Sequence, residues 1–91
     1  MTNEFDLSIK IGNWAGIPHY HTYTYDIRAC LDHLGPKFTY IDLYLSQKDN
    51  LATCELEYEG HIYRYEGSYA EGLALAFCRA AEQVVDKGAK V

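Results

Sequence analysis

The segment from Ser68 to Gly88 constrains the fold more than any other, because its start, its end and its buried face can all be read from the sequence. Ser68 and Glu71 have the spacing of a capping box, in which two side chains satisfy N–H groups that the first helical turn leaves unpaired. Lys87 and Gly88 are typical of a helix end, where a cation meets the negative end of the helix dipole and glycine forms the cap. At the helical period, one arc of the segment is apolar and comprises Ala70, Leu73, Ala74, Phe77, Cys78, Ala81, Val84 and Val85. The sequence therefore predicts an amphipathic helix that lies on an apolar surface.

Three segments before this helix alternate apolar and polar side chains, as half-buried strands do. They span residues 38–45, 51–58 and 61–66. Glu59 and Gly60, between the last two segments, fit a two-residue hairpin loop, and such a loop sets the register of the strands that it joins. The resulting cross-strand pairs are Leu56 with Tyr63, Cys54 with Tyr65, and Glu55 with Arg64. We therefore expect a three-stranded antiparallel meander.

The amino-terminal third of the chain is more ambiguous. Residues 4–11 satisfy both the alternation of a strand and the i, i+4 spacing of a helix, so periodicity leaves both interpretations open. Glycine and proline predict that this element ends at Gly12 and again over residues 16–18. Thr24 is a candidate N-cap for a helix of about three turns that ends at Gly35. The predicted class is α+β, with the uncertain element and this helix before the sheet and the long helix after it.

Length and charge limit the classes of function. The chain has 91 residues, which suffices for a single domain over residues 1–91. It contains no apolar run near the ~20 residues that span a bilayer, and it starts without a basic and apolar signal segment. We therefore expect an intracellular protein without membrane association. A net charge of −5 argues against binding to extended nucleic acid.

Few residues fit a catalytic or metal-binding pattern. Cys30, Cys54 and Cys78 are an odd number and lack any C-x-x-C spacing, so we interpret them as reduced, packed thiols. His19 and His21 offer two possible metal ligands, but they lack the spacing of a closed metal site. We predict no metal, no cofactor and no enzymatic activity.

Aromatic and cationic side chains indicate a possible small-ligand site instead. The loop over residues 16–23 is rich in histidine and tyrosine, whose rings can stack on a base, while arginine pairs with phosphate or carboxylate through two hydrogen bonds. The alternative interpretation is that the aromatic rings close the edge of the core and the arginines pair with the acids. The predicted ligand-binding residues are Trp14, His19, Tyr20, His21, Tyr23, Arg28, Arg64 and Arg79.

A second candidate surface is an interface. Tyr40 and Tyr44 lie on the sheet face opposite the long helix, and this face is too aromatic to be left wholly in water. Leu75 falls among the polar residues of the helix, where it would be an exposed apolar side chain. These three residues favour self-association, so we expect a homo-oligomer.

Two stretches of the chain resemble motifs of one family. Residues 23–30 read Tyr-Thr-Tyr-Asp-Ile-Arg-Ala-Cys, which is similar to a Tyr-Ser-x-Asp-Ile-x-x-Ala segment. Residues 75–81 read Leu-Ala-Phe-Cys-Arg-Ala-Ala, which is similar to a Leu-Ala-x-Cys-Arg-Ala-Ala segment. Both segments occur in this order in the phage ABA sandwich domain, a family of small bacteriophage proteins. Gly12, Asn13 and Trp14 resemble the family's start, in which a short helix ends near a Gly-Trp pair.

This resemblance implies a helix/sheet/helix sandwich with the order α-α-β-β-β-α, in which the amino-terminal element is a helix. It also implies a phage or prophage protein that acts in the cytoplasm of the bacterial host, and it brings no catalytic residue. Because small acidic phage accessory proteins commonly inhibit host defence, our leading hypothesis is a non-enzymatic protein that sequesters a small host molecule, such as a nucleotide-type immune signal. The alternative hypothesis is a protein interaction or assembly module that binds a host or phage protein.

Overall fold

The computed structural model describes residues 3–17 and 22–89, which form an α+β fold. The α-helices are α1 (Glu4–Ala15), α2 (Ile27–Ala29) and α3 (Gly72–Ala89), and the strands are β1 (Tyr40–Ser46), β2 (Leu51–Tyr58) and β3 (His61–Gly67). A π-helical turn, Cys30–Leu34, continues α2, and 3₁₀ turns lie at Tyr23–Tyr25, Gly35–Lys37 and Tyr69–Glu71. The strands form one antiparallel sheet in the order β1-β2-β3. The predicted α+β class and the predicted order of elements are confirmed.

The ambiguous amino-terminal element is a helix, α1. The Asn3 side chain caps its start by accepting a hydrogen bond from the Asp6 N–H at 2.8 Å. Leu7 and Ile11 lie four residues apart and are fully buried, so the helical stripe rather than the alternation is the pattern that packing uses. The predicted end at Gly12 is wrong, because Gly12 is buried within the helix and α1 continues to Ala15.

The second helix starts later than predicted. Its N-cap is Asp26, whose side chain accepts a hydrogen bond from the Ala29 N–H at 3.0 Å. Thr24 does not cap this helix, because its buried hydroxyl oxygen accepts a hydrogen bond from the Ser8 hydroxyl of α1 at 3.2 Å. The helix also loses its regular period at the π-helical turn over residues 30–34, which the sequence did not predict.

The hairpin between β2 and β3 agrees with the sequence. Glu59 and Gly60 both have positive φ, at 50° and 82°, as a two-residue type I′ turn requires. All three predicted cross-strand pairs are present, and β2 occupies the predicted residues. β1 differs, because it begins at Tyr40, and Phe38 is instead buried beside Trp14.

α3 lies at the centre of the molecule. One side packs on the inner face of the sheet, where Ala52, Cys54 and Leu56 of β2 are fully buried. The opposite side packs against α1, and Lys10 of α1 forms an ion pair with Glu82 of α3 at 3.2 Å. The layers are therefore sheet, α3 and α1. This differs from the helix/sheet/helix layering that the resemblance implies, because no helix in the described ranges lies on the second face of the sheet.

The central position of α3 corrects the prediction for Leu75. Leu75 is 6% exposed, and the whole run from Ala74 to Cys78 is buried. Leu75 lies seven residues before Glu82, hence on the helix face towards α1. The expectation of an exposed apolar residue is therefore wrong, because a one-sided amphipathic pattern does not reveal a second packing partner. Leu75 is not available to a partner in the folded chain.

The start of α3 also differs from the prediction. Gly72, with φ 83° and ψ 166°, separates α3 from the preceding 3₁₀ turn at residues 69–71. The predicted capping box of Ser68 and Glu71 is present, and the Glu71 carboxylate accepts hydrogen bonds from the Ser68 N–H at 3.0 Å and from the Tyr65 hydroxyl at 2.7 Å. It caps the 3₁₀ turn that precedes α3. At its other end α3 passes Gly88 and stops at Ala89. None of the described helices has the length and apolar composition needed to cross a membrane.

Candidate functional site

The face of the sheet that points away from α3, here called the outer face, is covered by none of the described helices. Alternation along the strands places every second side chain there. The strand register arranges these side chains in three rows across the sheet: Tyr40, Glu57 and Ile62; Asp42, Glu55 and Arg64; and Tyr44, Thr53 and Glu66.

Large apolar and aromatic side chains on the outer face are open to solvent. Tyr40 is 46% exposed, Tyr44 48% and Ile62 55%. The inner face differs, because Ala52, Cys54 and Leu56 of β2 are fully buried there. The outer face thus exposes two aromatic rings and a branched aliphatic side chain that the fold does not use for its own core.

The outer face carries an excess of negative charge. It has four carboxylates, Asp42, Glu55, Glu57 and Glu66, and one guanidinium, Arg64. Arg64 forms ion pairs with Glu66 at 3.2 Å and with Glu55 at 3.4 Å, and hydrogen bonds to these two carboxylates raise its pKa. Asp42 lies directly opposite Glu55, and like charges at such a cross-strand position are destabilising.

Each of the two exposed tyrosines places its hydroxyl group beside a carboxylate. The charge of Asp42 is the main cause that raises the pKa of Tyr40, and this hydroxyl lies 3.5 Å from the Asp42 carboxylate. The Tyr44 hydroxyl donates to Asp49, in the turn after β1, at 3.1 Å. Because both hydroxyls face carboxylates of the same chain, the rings are the larger exposed surface that these side chains offer.

The three arginines predicted to bind a ligand lie on separate elements. Arg28 of α2 is exposed and lies 3.6 Å from the Asp32 carboxylate. Arg64 belongs to β3, as described above. Arg79 of α3 is largely buried and pairs with Glu82 at 3.4 Å. Each arginine therefore pairs with an acid of the chain, as the alternative interpretation of these residues expected.

The described aromatic members of the predicted ligand site take part in packing. The Trp14 ring stacks on Phe38, with centroids 6.0 Å apart, and meets the ring of Tyr58 edge-on at 5.6 Å. Lys37 places its ammonium group 5.7 Å from the centre of the Trp14 ring. Tyr23 is fully buried. The remaining predicted members, His19, Tyr20 and His21, lie outside the described residues.

The three cysteines meet in the core. All are fully buried, and the sulfur atoms of Cys30 and Cys78 lie 3.9 Å apart. Burial raises the pKa of Cys54 to about 12. A hydrogen bond with Cys30, together with burial, raises the pKa of Cys78. Among the described residues, no group of three or more His, Cys, Asp or Glu side chains is arranged to hold a metal ion.

An open apolar hollow lies beside the start of α3. Its volume is about 390 Å³, and its lining includes Tyr25, Ile27, Leu45 and Leu73. These residues come from four separate elements, so no local sequence pattern predicts that they meet. The polar groups on the lining are few, and Glu71 is already held by Ser68 and Tyr65.

Comparison with known proteins gives no relative. No protein family, no curated protein and no solved structure matches the chain. The resemblance to the phage ABA sandwich domain therefore stays a prediction, and function is argued from the surfaces of the molecule.

Proposed function

We propose that the chain is a protein-binding module that contacts its partner through the outer face. The observation that carries this proposal is the exposure of Tyr40, Tyr44 and Ile62 on a sheet face that no described helix covers. Exposed aromatic and aliphatic side chains surrounded by polar ones are typical of protein interfaces. Tyrosine suits this role because it offers a large ring and loses little conformational freedom on binding.

The shape of the outer face favours a macromolecule over a small ligand. Small-molecule sites are concave and surround most of the ligand, whereas a sheet face offers a broad surface. The arginines on α2, β3 and α3 already pair with acids, so a phosphate group would compete with Asp32, Glu66 or Glu82. The sequestration of a nucleotide-type signal stays a prediction, and part of its predicted site lies outside the described residues.

Site-specific photo-crosslinking in the cells that naturally express the protein tests the proposal. A photoreactive phenylalanine derivative replaces Tyr44 on the outer face in one variant. In the control it replaces Tyr25, which is 73% exposed but lies in the 3₁₀ turn at Tyr23–Tyr25, outside the sheet. We expect a discrete crosslinked protein from the Tyr44 position and none from the Tyr25 position.

Two outcomes of this experiment contradict the proposal. One is the absence of any adduct at the Tyr44 position when the variant is folded and abundant. The other is the same adduct at both positions, because that would place the contact elsewhere on the molecule. Calorimetry with nucleotides serves as the complementary measurement, and saturable nucleotide binding that survives Tyr40→Ala and Tyr44→Ala would favour the small-ligand hypothesis.

A further inference from the structure

We propose that the partner presents a basic, extended segment to the outer face, with its cationic side chains between the β1 tyrosines and the carboxylates of β1 and β2. This inference rests on the proposed function and names the chemistry of the partner. It combines three features of the outer face: the spacing of its side chains, its charge, and the position of its two rings.

The spacing on β1 matches that of an extended chain. Tyr40, Asp42 and Tyr44 occupy alternate positions of one strand, so neighbours in this column are separated by about 6.8 Å. An extended partner segment has the same period on each of its faces. Side chains at every second position of the partner therefore meet ring, carboxylate and ring in succession.

The charge of the outer face is complementary to a basic partner. Its four carboxylates and one guanidinium leave a net charge of −3 on a single sheet face. Arg64 pairs with Glu55 and Glu66, whereas Asp42 lies between the two tyrosines on β1 and Glu57 lies beside Tyr40 on β2. The negative charge is thus greatest beside the tyrosine column, where an incoming cation would also relieve the repulsion between Asp42 and Glu55.

The two rings add a contact that is selective for cations. A guanidinium or ammonium group over the face of an aromatic ring is attracted by the electrons of the ring, and nearby carboxylates strengthen its binding. Arginine satisfies both requirements, because its planar group stacks on a ring while its N–H groups pair with a carboxylate. Ile62, in the same row as Tyr40 and Glu57, provides an apolar contact at the other edge of the sheet.

The same charge disfavours two other occupants. A second copy of the chain would bring its own acidic outer face against this one, so that carboxylates would face carboxylates. Nucleic acid would be repelled by the same charge. A basic protein segment is the occupant that the outer face fits.

Fluorescence anisotropy with a defined peptide tests this inference. The probe is a labelled peptide of about twelve residues in which arginine alternates with threonine, and the control peptide carries the neutral analogue citrulline in place of arginine. In about 50 mM salt, we expect saturable binding of the arginine peptide and no binding of the citrulline peptide. About 500 mM salt should weaken this binding strongly, because the Debye length shortens.

Two double variants with the same change in net charge distinguish an effect of the outer face from an effect of the total charge of the protein. D42N/E57Q removes two carboxylates from the outer face, whereas D6N/D32N removes two exposed carboxylates from α1 and the π-helical turn. We expect D42N/E57Q to weaken the binding of the arginine peptide about five- to tenfold. D6N/D32N should weaken this binding by less than about twofold. Tyr44→Ala should also weaken it, without changing the circular dichroism spectrum, since Tyr44 is exposed.

The outcomes distinguish this inference from the proposed function. Equal weakening by the two double variants, or binding of the citrulline peptide, would show that no cation is recognised at the outer face and would overturn the inference. A crosslinked partner at the Tyr44 position together with failure of the arginine peptide would uphold the proposed function and overturn only the basic partner. A crosslink to a second copy of the chain would also overturn it.

Discussion

At the scale of single residues, burial decides what the cysteines can do. A thiol reacts through its thiolate, and both the apolar surroundings and the neighbouring thiols disfavour the charged form. Cys54, with a pKa raised to about 12, stays protonated throughout the physiological range. The interpretation of the cysteines as packed thiols agrees with their complete burial.

Thiol labelling checks this interpretation. At pH 8 we expect an aromatic disulfide reagent to leave Cys30, Cys54 and Cys78 unmodified in the native protein and to modify all three in a denaturant, because only unfolding exposes them. A Thr39→Cys variant supplies the positive control, since Thr39 is exposed and the new thiol should react at once. Fast reaction of a wild-type thiol without denaturant would contradict the burial described above.

At the scale of elements, Gly72 determines where the last helix begins. Its φ of 83° and ψ of 166° belong to a region that is essentially restricted to glycine. Nothing lies within 4 Å of the place that a Cβ atom would occupy, so an effect of substitution would come from the backbone rather than from a clash. The backbone of this residue is not helical, so the 3₁₀ turn and α3 do not form one continuous helix.

Replacement of Gly72 by either alanine or asparagine should therefore destabilise the fold. We expect Gly72→Ala and Gly72→Asn each to lower the free energy of unfolding by about 1–3 kcal/mol in urea denaturation. Gly16 is the matched control, because its φ of 79° and ψ of 24° are left-handed helical values that asparagine tolerates. There Gly16→Asn should cost less than Gly16→Ala. A Gly72→Asn protein as stable as the wild type would contradict the backbone assignment.

The elements that the sequence predicted correctly are those with local determinants. The β2–β3 hairpin follows from a two-residue turn and from alternation on both sides of it, and the register of Glu55 with Arg64 adds opposite charges. The helical stripe of α3 was predicted for the same reason. These patterns span neighbouring residues, so no knowledge of the rest of the molecule is needed to interpret them.

The features that the sequence did not predict depend on contacts between residues that are far apart in the chain. Thr24 looks like an N-cap, but its side-chain oxygen accepts a hydrogen bond from Ser8 of α1, and Asp26 caps the helix instead. Leu75 looks exposed until α1 is placed against α3. The outer face follows from alternation, whereas its exposure required knowing that the described helices all lie on the other side of the sheet.

At the scale of the whole molecule, the burial of Leu75 removes one of the features from which we predicted self-association. The other feature is the outer face, where two copies of the chain would bring like charges together. The homo-oligomer therefore stays a prediction, and the basic partner proposed above is the alternative to it.

Sedimentation velocity tests the state of the isolated chain. In about 50 mM salt and at protein concentrations up to about 0.5 mM, we expect a monomer, because the carboxylates of two outer faces repel each other. Salt at this concentration screens that repulsion only weakly over distances shorter than the Debye length. The D42N/E57Q variant serves as the comparison, since loss of two carboxylates should make association easier if it uses the outer face. A wild-type dimer in low salt that dissociates on Tyr44→Ala would contradict the expectation.

The single-sided covering of the sheet has a consequence for how such a protein changes over generations. Residues on the inner face are shared with α3, so most substitutions there lower stability and are removed by selection. The exposed residues of the outer face, such as Tyr40 and Tyr44, carry little of the folding free energy, and exposed substitutions usually change it by less than about 0.5 kcal/mol. The two faces of one strand therefore evolve under different constraints. Descendants of this chain can exchange one partner for another by drift at alternate positions of β1, while the architecture beneath stays unaltered.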